Sequence, residues 1–77
     1  MKLLNAIKKL EKAGASVEKN GIFYSAKINN DVIEFMCKTD SIACIKVRSA
    51  NDHDDIMTDY SAGVWCNNLS QAIRIAA

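Results

Sequence analysis

Two short turn signals close together constrain this chain more than anything else in it. Asn20-Gly21 is a preferred two-residue hairpin turn, because both central positions of a type I′ turn need positive φ. Read that way, it pairs Lys19 with Ile22, Glu18 with Phe23 and Val17 with Tyr24. Asn29-Asn30 reads as a second two-residue turn, which sets Ala26 against Ile33, Tyr24 against Phe35 and Ile22 against Cys37. Both readings put Val17, Tyr24, Ala26, Ile33, Phe35 and Cys37 on one apolar face, so the two turns support one register.

The flanks are helical. Leu3, Leu4, Ile7 and Leu10 form a stripe of helical period over residues 2–13, with Lys2, Lys8, Lys9, Glu11 and Lys12 opposite. Gly14 stands where a helix ends in a left-handed residue. At the other end, Asn67 or Asn68 caps a helix with Leu69, Ala72, Ile73 and Ala76 as its stripe, and Gln71 completes a capping-box pattern after Asn68. Between them, Lys38-Thr39-Asp40-Ser41 is a polar turn and residues 42–49 alternate as a strand. That alternation sends Ala43, Ile45 and Val47 inward and Cys44, Lys46 and Arg48 outward. Val64-Trp65-Cys66 reads as a further short strand.

The expected fold is α+β: a two-layer sandwich of an antiparallel sheet of 3–5 strands with an N-terminal and a C-terminal helix, in α-β-β-β-β-α order. Residues 1–77 form a single domain, near the lower size limit for unaided folding. The composition, 49% apolar and 25% charged, is that of a globular chain.

Charge excludes little but locates something. The net charge of +1 gives no general attraction to nucleic acid or membrane. Residues 1–50 carry nine Lys/Arg against five Asp/Glu, whereas in residues 51–77 Arg74 stands alone against Asp52, Asp54, Asp55 and Asp59. Three cysteines without a CxxC pair argue against a disulfide framework or a zinc knuckle. Charges interrupt the N-terminal apolar pattern and no run reaches the roughly 20 residues of a membrane span, so the expected compartment is the cytoplasm.

Two regions are candidates for function. The first is the acidic stretch Asp52, Asp54, Asp55 and Asp59 with Tyr60 and Trp65, a surface for a basic partner. As a calcium loop it fails, because Ile56 and Gly63 occupy ligand positions, so no metal and no cofactor is expected. His53 is the single histidine and has no nucleophile motif beside it, so no catalytic residue is assigned and the chain is read as a non-enzyme. The second region is the outer sheet face, where Phe23 and Met36 oppose each other beside Val32, Ile42 and Cys44, rimmed by Lys27, Lys46 and Arg48. Aromatic plus basic residues on a sheet suit base stacking, and the same residues suit a partner or dimer contact. Trp65 and Tyr60 are first read as core anchors, with an interface role as the alternative.

The helix–strand–strand–strand–helix order resembles the double-stranded-RNA-binding domain in topology, but Asn67-Asn68-Leu69-Ser70-Gln71 lacks that domain's lysine cluster. Over residues 45–74 the chain resembles small uncharacterised proteins of phages and mobile elements. The likeness is carried by Ile45-Lys46-Val47-Arg48, Asp54-Asp55, Thr58-Asp59-Tyr60, Gly63 and Leu69-Ser70-Gln71-Ala72-Ile73. It implies a binding module acting by contact with a host or phage protein, with inhibition of a bacterial defence system as the specific form. The alternatives are nucleic-acid binding through the sheet face and a structural homodimer.

Overall fold

The computed structural model describes residues 2–49 and 63–76. Within them the order is α1 (Leu3–Lys12), β1 (Ser16–Asn20), β2 (Phe23–Ile28), β3 (Asp31–Lys38), β4 (Ser41–Ser49), β5 (Val64–Cys66) and α2 (Leu69–Ala76). The strands form one five-stranded antiparallel sheet in sequence order, β1-β2-β3-β4-β5. The α+β class is as expected, with the short β5 as the fifth strand.

Both helices lie on one face of the sheet. Ala6 and Leu10 of α1 and Leu69, Ala72 and Ala76 of α2 are buried against Tyr24, Ala26, Ile28, Ile33, Phe35, Ile45 and Val47. Val17 and Cys37 pack on the edge of that cluster, so the six residues on which the two turn readings agree share the inner face, whereas Ile22, expected there as well, is 45% exposed in the turn. The rings of Tyr24 and Phe35, a directly opposed pair, stack at 5.4 Å between centroids and 6° between planes. Leu4 is the exception in the helical stripe. It is 62% exposed, and Ala6 takes its place, because Ala6 lies one turn from Leu10 on the sheet side and Leu4 does not.

The second hairpin has the expected register, Tyr24 to Phe35 and Ala26 to Ile33. The first does not. Asn20 pairs with Phe23 and Val17 with Ala26, so the turn residues are Gly21 and Ile22 rather than Asn20 and Gly21. Gly21 has φ +67 at the first central position, the place a type II′ turn reserves for glycine. The pairing therefore moves by two residues. A shift of two keeps every side chain on its own face, so the core residues survive the error.

In β4 the departure is larger. Glu34 pairs with Lys46 but Met36 with Ala43, so Cys44 and Ile45 together oppose Phe35. This β-bulge, with Cys44 at φ +54, reverses the alternation in front of it. Ala43 consequently lies exposed, and Ile42 packs against the core instead of joining the outer patch.

The helix ends are closed by specific bonds. Ala15 N–H donates to Leu10 O at 2.9 Å and Gly14 N–H to Glu11 O at 3.0 Å, a Schellman motif with Gly14 at φ +94. Asn68 Oδ1 accepts from Gln71 N–H and Gln71 Oε1 from Asn67 N–H, each at 2.9 Å. The β3–β4 turn reaches α1, where Leu3 N–H donates to Asp40 Oδ1 at 3.3 Å. Lys9 Nζ donates to Ser70 Oγ and so joins the two helices.

Candidate functional site: the outer sheet face

With the helices on one face, the opposite face of the sheet presents three rows of side chains. At one end, Asn20, Phe23, Met36 and Ala43 run across β1 to β4. The middle row is Glu18, Ser25, Glu34, Lys46 and Trp65, and reaches β5. At the far end stand Ser16, Lys27, Val32 and Arg48.

Phe23 and Met36 are opposed as expected, and both are half-buried. The basic residues differ from expectation. Lys27 alone is exposed. Arg48 Nε donates to Glu34 Oε1 at 2.6 Å, with the side chains only 13% and 7% exposed. Its Nη1 also donates to Ser49 O at 3.2 Å. Lys46 is fully buried although it belongs to the outer face. Its Nζ lies 5.6 Å from the centroid of the Trp65 ring, close enough for a cation–π contact. So Lys46 and Arg48 do not form an exposed basic rim. They belong to a buried polar layer with Glu34, a residue the sequence reading overlooked.

Trp65 is not a core anchor. Its ring stands over Lys46 and is 42% exposed. Gly63 has φ +86 just before β5, and a Cβ there would lie 2.4 Å from Val47 O and 3.1 Å from Lys46 Cε. The close approach of backbone to β4 at this point thus requires glycine.

Beside the polar layer is a pocket of about 210 Å³ lined by Ser16, Glu18, Ser25, Lys27, Val32 and Arg48. Its walls carry both signs of charge and two hydroxyls, and Val32 is its apolar contribution.

The three thiols are free. Cys44 is exposed at the bulge, and Cys37 and Cys66 are half-buried. Burial pushes the Cys66 thiol above its ordinary value. Among the described residues no group of three or more His, Cys, Asp or Glu is placed to hold a metal ion, and no helix is long and apolar enough to cross a membrane. Asp52, His53, Asp54, Asp55, Asp59 and Tyr60 lie outside the described residues. Comparisons with protein-family models, curated proteins and solved structures found no match.

Proposed function

We propose that this chain is a non-enzymatic binding module that acts by protein–protein contact through its outer sheet face. One observation carries the reading: both helices cover the same side of the sheet, and the other side holds Phe23 and Met36 half-buried beside a fixed Glu34–Arg48 pair. Aromatic residues, Met and Arg are the types enriched at the centres of protein interfaces. The exposed ring of Trp65 on the same face extends the surface.

The basic residues favour a protein over a nucleic acid. Phosphate binding needs exposed cations. Of Lys27, Lys46 and Arg48, only Lys27 is exposed, and Glu18 and Glu34 stand among them. The narrower reading, inhibition of a bacterial defence system by a phage-type protein, rests on the sequence resemblance over residues 45–74.

The test is retention of partners by immobilised wild-type chain against a Phe23→Asp variant whose circular dichroism is unchanged. Proteins retained by the wild type and lost by the variant are the expected result. Retention of nucleic acid, abolished by moderate salt, contradicts the reading.

A further inference from the structure

Within the mixed-charge pocket, Glu18 and Lys27 are the two exposed charges, and they are not ion-paired with each other. Ser16 is opposite Lys27 and Ser25 is opposite Glu18, so the two charges sit two residues apart along the strand direction. They are on neighbouring strands, so the diagonal between them is about 7–8 Å. Arg48, paired with Glu34, closes the pocket on the Lys27 side without being an exposed cation. The pocket volume of about 210 Å³ suits one or two side chains, not a larger molecule.

An extended segment repeats its own side chains on one face at the same spacing, every second residue. Strands packed face to face also run within about 30° of each other. We infer that this pocket is a charge-reading subsite for an extended partner segment. The segment carries an acidic and a basic residue two positions apart, the acidic one over Lys27 and the basic one over Glu18. This rests on the reading of the sheet face as a protein contact and adds the chemistry of the partner. A phosphate backbone does not fit, because Glu18 would repel it.

The probes are two sets of fluorescein-labelled ten-residue peptides in a Thr/Val frame, titrated against the full chain by anisotropy. One set has Glu and Lys two positions apart, in both orders. The other has them adjacent, which places them on opposite faces of an extended strand. The two-apart peptides are expected to bind up to about fivefold more tightly, the upper end of what one exposed ion pair contributes. Lys27→Glu and Glu18→Lys should each abolish that preference, and the double reversal should restore it. Equal binding of both sets, no binding at millimolar concentration, or tighter binding of a labelled single-stranded oligonucleotide overturns the inference. If the peptides fail while Phe23→Asp still abolishes protein retention, only the charge rule falls. If both fail, the sheet-face reading falls with it.

Discussion

Arg48 and Glu34 meet across neighbouring strands at 2.6 Å, both largely withdrawn from water on the face of the sheet that the helices leave uncovered. Removing one member of such a pair strands the other charge in a poorly solvated place. Arg48→Ala or Glu34→Ala is therefore expected to destabilise the fold by about 3 kcal/mol. Replacing both by leucine should cost less than either single change, since neither Arg48 nor Glu34 is then left without the other. Urea unfolding of the two single variants and the double variant checks this, and equal losses in all three would contradict it.

Glycine matters unequally at two positions. Gly21 has φ +67, but a Cβ there meets nothing within 4 Å, so Gly21→Ala should cost only the backbone strain of about 1–3 kcal/mol. Gly63→Ala adds a collision with Val47 O and should cost more, by detaching β5 from β4. Trp65 fluorescence follows the second effect. Its emission should shift in Gly63→Ala and stay unchanged in Gly21→Ala.

Among the described residues Thr39, Asp40 and Cys44 hold left-handed backbone without being glycine or asparagine, and Asp40 is of a type that tolerates it. Thr39 at φ +55 is β-branched, and Cys44 at φ +54 occupies the bulge position where glycine is common. Thr39→Asn and Cys44→Gly should each raise stability by up to about 1 kcal/mol. Thr39→Asn leaves the Asp40 bond to Leu3 in place. A lower midpoint of thermal unfolding in either variant would refute the assignment of strain.

The thiols should separate by reactivity. Cys44, exposed, is expected to react first with a disulfide reagent, ahead of half-buried Cys37 and Cys66. Cys66 also has a direction in pH. Burial raises its folded value, so the folded state holds the proton more tightly than the unfolded chain. The resulting stabilisation is present below the ordinary thiol value and is lost as pH rises through the raised one. Above about pH 9, wild-type stability should fall more steeply than that of Cys66→Ala. Parallel curves would rule this out.

Much of this fold is legible in the residues, and the failures have physical causes. The core was readable because a strand's period of two tolerates a register error of two. Mistaking the Gly21-Ile22 turn for Asn20-Gly21 moved no side chain off its face. The bulge was not readable, since the residue that forms it is Cys44 and not a glycine. Without it, a turn at Thr39-Asp40 sets Glu34 opposite Ile45, and the contact with Lys46 and Arg48 stays hidden. A strand without the bulge makes the outer face an aromatic patch with a basic rim. In the folded chain most of that rim is inside a buried polar layer, and only Lys27 remains exposed.

Site-specific photocrosslinking tests most directly whether the sheet face binds protein. Benzoylphenylalanine is placed at Phe23 on the outer face, or at Leu4, an exposed apolar residue of the helical layer. If the sheet face is the contact, Phe23 yields a discrete protein adduct and Leu4 does not. Adducts of equal yield from both positions, or an adduct to nucleic acid from Phe23, would contradict it.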